Sequence, residues 1–239
     1  MARKEITVKY RLHIPYASRT DLLQQAVESV RAIGNIHLWA DGCAPVDYAG
    51  VEMHVLPPLG PVSVINLMLQ NSLDAGDDVA FLMHNDAYCL PGGAEMMLRR
   101  AYEQHAKGGK WGALFSLYDV FMCVNLAAIR DIGWWDVRFF QYKADNDYYR
   151  RMRLKGWEII GYNTDDVPLK TKREYPQSPV VGALIHEGYK VIHHGSATIK
   201  SDDLFRRKTR CFETAIADYY RLKWGGDVGH ERLTTEFGA

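Results

Sequence analysis

Five short stretches of this sequence carry side chains that could do chemistry. His84-Asn85-Asp86 directly follows the apolar run Val79-Ala80-Phe81-Leu82-Met83. A carboxylate just past a buried strand is well placed to hold a hard divalent cation, and equally to cap the next turn. Asp145-Asn146-Asp147 stands at the start of a helical pattern. Carboxylates two residues apart do not share a helix face. One can therefore face a cleft and accept a proton from a hydroxyl, while the other caps or pairs with Arg150 or Arg151. Both could instead complement the helix dipole. His193-His194 closes the pair Val191-Ile192, and either imidazole could ligate a metal or serve a structural end. Asp41, after Ile36-His37-Leu38-Trp39-Ala40, could accept a hydrogen bond from a nucleobase or simply form an Asp-Gly turn. Finally, Arg206-Arg207-Lys208 through Tyr219-Tyr220-Arg221-Leu222-Lys223-Trp224 could meet phosphate, or form a solvated helix face with its aromatics docked on the core.

The elements that must position these groups follow from hydrophobic period. Val8–Ile14 alternates as a first strand ending at Pro15. Ser18 or Thr20 can cap a helix from Asp21 to about Ile33, with Leu22, Leu23, Ala26, Val27 and Val30 at helical spacing. Ile36–Ala40, Met53–Leu56 and Val79–Met83 read as strands; residues 62–74 and Pro91–His105 read as helices. This alternation, sustained to about residue 105, predicts a mostly parallel central sheet with helices on both faces, an α/β class. Ligands of such sheets bind at the carboxyl ends of the strands, which is where Asp41 and Asp86 fall. The second half is less regular. Leu114–Asn125 holds one or two strands and Leu126–Ile132 a short helix. Asp145–Lys155 reads as a helix with a basic exposed side, Trp157–Tyr162 as a strand, 163–180 as a mobile loop, Val191–His194 as a strand and 203–223 as a terminal helix.

Composition narrows the functional classes. Lysines and arginines (29) balance aspartates and glutamates (29), so bulk charge draws the chain neither to nucleic acid nor to an anionic membrane. A local phosphate-binding track from Arg150, Arg151, Arg153 and Lys155 with Arg206, Arg207 and Lys208 stays open. Cys43, Cys89, Cys123 and Cys211 are widely spaced, without the paired spacing of a zinc site. The N-terminus leads into an alternating run without an apolar leader segment. Reduced thiols in a cytoplasm are the expectation. The longest apolar stretch, Trp111–Ile129, contains Asp119 and Asn125 and reads as a core strand plus helix start, with no membrane span.

Singly, each of these signals also has a structural explanation; their order is more specific. Strand-Asp41, then strand-His84-Asn85-Asp86, then Gly133-Trp134-Trp135-Asp136 through Phe139-Phe140 to Asp145-Asn146-Asp147 and Arg150, then a histidine after a strand, resembles family 2 glycosyltransferases of the GT-A fold. Ile14-Pro15 and Arg19-Thr20-Asp21-Leu22-Leu23 match the opening of that pattern, and Tyr219-Tyr220-Arg221-Leu222-Lys223-Trp224-Gly225-Gly226 resembles the ending of a bacterial and phage subset. The resemblance implies a single GT-A (Rossmann-like) domain over 1–239, with a nucleotide-binding half to about 105 and an acceptor-side half with a C-terminal helix beyond. It implies an inverting transfer, dependent on Mn2+ or Mg2+, from a UDP-, GDP- or dTDP-sugar to a hydroxyl acceptor in the cytoplasm of a bacterium or a phage-infected host. Asp145 falls on the catalytic base. Asp86 and one of His193 and His194 fall on the metal ligands. Pro15, Tyr16, Arg19, Asp41, Asn85 and Asp86 fall on donor-binding positions, and Trp134, Trp135, Asp136 and Asp147 on the acceptor side.

Two positions depart from the family pattern. His84 replaces the first acid of the D-x-D-like turn, and Ala144 replaces the glutamate before Asp145. These departures keep open a catalytically silent nucleotide-sugar-binding protein. A nucleotidyltransferase on a related scaffold is the other alternative, although Pro15-Tyr16-Ala17-Ser18 carries none of the glycines such a loop uses. The resemblance admits a glycan, a lipid-linked sugar, a protein side chain or a modified nucleobase in DNA as the acceptor.

Overall fold

A computed structural model describes residues 8–116, 118–161, 172–174, 184–186, 190–195 and 203–238. A seven-stranded sheet forms its centre. Strands β1 (Tyr10–Tyr16), β2 (Ile36–Asp41), β3 (Glu52–Leu56) and β4 (Val79–Met83) run parallel, as the alternating pattern predicts. Beyond β4 come β7 (Tyr118–Asn125), β6 (Trp111–Ser116) and β8 (Glu158–Ile160), giving the order β3-β2-β1-β4-β7-β6-β8. Only β7 is reversed, antiparallel to both β4 and β6.

Period-two burial divides each strand between two apolar layers. In β4, Val79, Phe81 and Met83 join one layer while Ala80 and Leu82 join the other. The first layer is closed by α1 (Thr20–Val30) and α3 (Gly93–Lys107), with Leu23, Ala26, Val27, Val30, Met97 and Ala101 against the sheet. On the second lie α2 (Pro61–Asp74), α4 (Leu126–Ile132), α5 (Ala144–Leu154) and the long α6 (Asp203–Trp224). Helices thus cover both faces, and burial of these stripes is the main stabilising term.

A second, antiparallel sheet of β5 (Ala87–Cys89), β9 (Lys172–Glu174), β10 (Leu184–His186) and β11 (Val191–His193), in the order β5-β11-β10-β9, lies partly in what reads from sequence as loop. Of the expected mobile loop 163–180, residues 172–174 form β9; the remainder lies outside the described residues. One local expectation is corrected. Neither Ser18 nor Thr20 caps α1. Arg19 occupies the cap position in the left-handed region (φ 57°), its carbonyl accepts from the Leu22 and Leu23 amides, and no side chain caps the turn. The basic side of α5 is exposed at Arg153 and Lys155, as expected, while Arg150 and Arg151 are partly buried. Arg150 donates to the Leu233 carbonyl and pairs with Glu231, Arg151 pairs with Asp147 and donates to the Trp134 carbonyl, and Lys155 pairs with Asp131.

Candidate active site

The carboxyl ends of β1, β2 and β4 open on one edge of the sheet, and the singled-out residues sit there because of three registers. First, β4 ends at Met83 and the chain turns through His84-Asn85-Asp86 before entering β5. Second, β5 pairs antiparallel with β11 so that Ala87 lies opposite His193, and the His194 amide donates to the Asp86 carbonyl at 2.8 Å. This brings a distant histidine pair onto the turn. Third, the reversed β7 starts where β4 ends: Met83 pairs with Phe121, and the His84 amide donates to the Val120 carbonyl at 2.8 Å. Asp119 is thereby delivered beside the same turn.

Successive strand side chains point to opposite faces, so one histidine of the pair can face Asp86. It is His193. Its Nε2 lies 3.3 Å from Asp86 Oδ1, whereas the buried His194 ring contacts Gln25 Oε1 through Nε2 at 3.1 Å and stacks on Tyr88 at 5.2 Å between centroids. His84 joins them, with Nδ1 3.9 Å from Asp86 Oδ1 and its ring edge-on to His193. One ligand atom from each of His84, Asp86 and His193 falls within 4.8 Å of the others, so a single divalent ion could bind all three. The imidazole of His84 thus stands where the family pattern has a carboxylate. Asn85 is buried and donates through Nδ2 to the Ser18 carbonyl, fixing the turn against the β1–α1 loop. Arg19 in that loop pairs with Asp21 at 2.7 Å and lies near enough to Asp86 to feel its charge.

Asp145 and Asp147 separate as carboxylates two apart must. Asp147 is fully buried; it accepts from Trp224 Nε1 at 2.9 Å and pairs with Lys223 (2.8 Å) and Arg151 (3.0 Å). Lys223, itself 1 % exposed, also reaches Asp136 at 2.9 Å. Burial would raise the Asp136 carboxyl, but hydrogen bonds from Arg138, Lys223 and Tyr219 hold it well below the usual carboxylate range. Asp136 and Asp147 therefore clamp α6 to α5. Asp145 has the opposite character. Burial first, and then the charge of Asp119, raise its carboxyl from 3.8 to about 6, against smaller opposing effects of the Asn146 and Asp145 amides and Lys143. A carboxylate poised near neutrality beside a second acid is what proton abstraction at physiological pH requires. Asp119, which also accepts from the Tyr149 hydroxyl at 3.2 Å, is hidden from sequence reasoning inside an apolar run.

The other expected positions are placed as follows. The Asp41 carboxylate accepts from the Leu59 amide (2.7 Å) and the Gly60 amide (3.1 Å), pinning the start of α2. Tyr16 is buried, its hydroxyl donating to the Ala44 carbonyl and accepting from the Val46 amide, so its side chain supports the loop after β2. Pro15 is half-buried at the end of β1. Trp134, 42 % exposed, lines a groove of about 520 Å³ with Trp135, Asp136, Arg138, Lys223 and Glu236. Trp135 is buried and stacks on Tyr148 at 4.9 Å. Among the described residues, no helix is long and apolar enough to cross a membrane.

No protein-family model and no curated protein matches the chain by sequence. Solved structures do match. The mannosyltransferase PcManGT from Pyrobaculum calidifontis, in complex with GDP-Man and Mn2+, superposes with a TM-score of 0.52 at 11% identity, over 69% of this chain and 58% of that one. S. aureus TarS 1–349 gives 0.47 at 11% identity, over 65% and 58% of the two chains. A point mutant of a Drosophila β1,4-galactosyltransferase 7, in complex with manganese, UDP-Gal and xylobiose, gives 0.43 at 18% identity, over 66% and 67%. The chain spans less than two thirds of the length of the first two. At these identities what is shared is architecture, and the mannosyltransferase superposition together with the sheet order identifies it: this chain has the Rossmann-like GT-A fold.

Proposed function

We propose that this chain is a nucleotide-sugar-dependent glycosyltransferase that transfers with inversion, using Asp145 as the general base. The observation that carries the reading is the Asp145 carboxyl, lifted to about 6 by burial and by Asp119, which β7 brings beside the turn bearing His84 and Asp86. Asp145 takes the proton from an acceptor hydroxyl as that oxygen attacks the anomeric carbon, on the face opposite the departing nucleoside diphosphate. Asp86, His193 and His84 hold a divalent cation, which supplies positive charge for the diphosphate when bound. Two imidazoles and one carboxylate favour Mn2+ over Mg2+, which prefers an all-oxygen shell. The likeness to a fold solved with GDP-Man and Mn2+ supports this donor and metal class.

The half up to about residue 105 binds the UDP-, GDP- or dTDP-sugar. Arg19, Asn85 and the strand ends carrying Pro15, Tyr16 and Asp41 shape its floor. The other half receives the acceptor, and the exposed Trp134 offers a stacking plane at the groove it lines. The free thiols of Cys43, Cys89, Cys123 and Cys211 fit a reducing compartment, the cytoplasm of a bacterium or a phage-infected host. Commitment of Arg150 and Arg151 to internal pairs takes two cations out of a phosphate-binding track, and we favour a glycan or protein hydroxyl as the acceptor class.

The test is a panel of nucleotide-sugars with Mn2+. Nucleoside diphosphate release that falls with Asp145→Asn supports the reading. Pyrophosphate release from a sugar-1-phosphate and a nucleoside triphosphate would assign a nucleotidyltransferase instead. Tight donor binding without turnover on any acceptor would assign a silent binder.

A further inference from the structure

A second cluster of ligating side chains lies away from the carboxyl-end edge, where edge strand β3 meets β2. His37 stands directly opposite Glu52 in the parallel register, and His54 follows two residues after Glu52 on the same face. His37 Nδ1 is 3.1 Å from His54 Nε2 and 3.6 Å from Glu52 Oε2, and His54 Nε2 is 3.3 Å from Glu52 Oε1. Tetrahedral zinc with bonds of about 2.0–2.1 Å places its ligand atoms about 3.3–3.4 Å apart. The observed triangle of two nitrogens and a carboxylate already has that size.

The surroundings fix these ligands. Asn35 donates through Nδ2 to the Tyr10 carbonyl and so presents Oδ1 to His37 Nε2, 3.4 Å away. His37 then carries its proton on Nε2 and aims the Nδ1 lone pair into the triangle. The His54 ring lies flat on Trp39, with centroids 3.9 Å apart. Trp39 is held in turn by donation from its Nε1 to His13 Nδ1 at 3.0 Å, and His13 Nε2 meets Ser72 Oγ at 2.8 Å. Outer-shell partners of this kind orient metal-binding histidines. The nearby Arg11 is turned away, onto Asp77 at 2.8 Å. Burial falls from His37 (3 % exposed) through His54 (20 %) to Glu52 (60 %), so the open corner of the tetrahedron faces water.

We propose that His37, Glu52 and His54 form a second metal site, of the zinc class, with water as its fourth ligand. His37 lies near the amino end of β2, opposite the strand ends that carry Asp41 and Asp86. The site therefore clips the edge strand to the sheet and takes no part in transfer. A parallel edge strand presents unpaired backbone on its outer side, and a metal bridging it to β2 removes the freedom to peel away. The proposal stands independently of the glycosyltransferase reading.

The test uses the whole 239-residue chain carrying Asp86→Asn and His193→Ala, which removes the other cluster. After chelator treatment and buffer exchange, Zn2+ is titrated calorimetrically and thermal unfolding is followed with and without it. One equivalent should bind and Tm should rise. Adding His54→Ala, or Glu52→Gln at the largely exposed position, should weaken binding at least ~10-fold and abolish the rise. Co2+ should give visible absorption bands of a four-coordinate site that disappear in the same variants. Circular dichroism of the metal-free variants establishes that they fold. Absence of Zn2+ binding in the Asp86→Asn, His193→Ala protein, or binding unchanged by both added substitutions, would overturn the proposal.

Discussion

As the proposed base, Asp145 would tie activity and stability to pH in opposite senses, and one substitution reads both. Its carboxyl is raised from 3.8 to about 6. With a midpoint of about 6, roughly nine-tenths of the molecules hold the ionised base at pH 7 and roughly one-tenth at pH 5. At saturating donor and Mn2+, turnover should therefore rise about tenfold across that interval and level off above pH 7. Asp145→Asn should cost roughly 10²–10⁴-fold in turnover and flatten the profile. Asp119→Asn removes the second cause of the shift but leaves burial, the larger one, so the midpoint should fall below 6 without returning to 3.8. Stability runs the other way. A carboxyl raised on folding holds its proton more tightly in the folded chain, so ionisation costs stability as pH rises from about 4 to 6. The full shift corresponds to about 3 kcal/mol, reduced to about 1–2 kcal/mol by solvent screening at a partly open site. Asp145→Asn should thus raise Tm by about 2–8 °C at pH 8 and leave it unchanged at pH 4. Nucleoside diphosphate release and differential scanning calorimetry across pH 4–8 measure both effects. A profile flat from pH 5 to 7 in the parent protein, or a variant retaining a tenth of parental turnover, would refute the assignment.

Three further predictions test other parts of the structure. His193→Ala should weaken Mn2+ binding at least ~10-fold, while His194→Ala, whose ring faces Gln25, should leave Mn2+ affinity nearly unchanged; electron paramagnetic resonance of free Mn2+ distinguishes them. Lys223→Ala leaves Asp136 and Asp147 buried without their shared cation and should destabilise by about 3–5 kcal/mol in urea unfolding. Gly42 sits at φ 68°, and an added Cβ would come within 2.7 Å of the Pro58 Cβ. Gly42→Ala should therefore lower stability by about 1–3 kcal/mol, read as a lower urea midpoint at unchanged slope.

The half of the fold legible in the sequence is the half whose neighbours in space are neighbours in the chain. Leu22, Leu23, Ala26, Val27 and Val30 announce α1, and all five are buried. The strand-helix alternation yields a parallel sheet because crossovers leave few other solutions. Strand direction in β7 is not legible, since a fully buried strand reads alike in both directions. That reversal carries Asp119 to the site, and the one signal for this acid is a charge inside an apolar run. The choice between His193 and His194 rests on the pairing of Ala87 with His193, a long-range register that local periodicity does not encode. His84 does not stand out in the sequence as a candidate ligand, because the pattern it resembles has a carboxylate there. The terminal aromatics Tyr220 and Trp224 dock on the core as expected, but Lys223 among them is buried, which no surface-charge rule anticipates.

The pairing of β5 with β11 has a thermodynamic corollary. Two members of the His84–Asp86–His193 cluster belong to the turn after β4, and the third is supplied across a ladder of three residue pairs. A cation held there would close a loop between chain segments far apart in sequence, so its binding energy and the closure of that ladder would be one equilibrium. Amide exchange in Ala87–Cys89 and Val191–His193 should slow as Mn2+ saturates, and anything that frays this small sheet should release the ion.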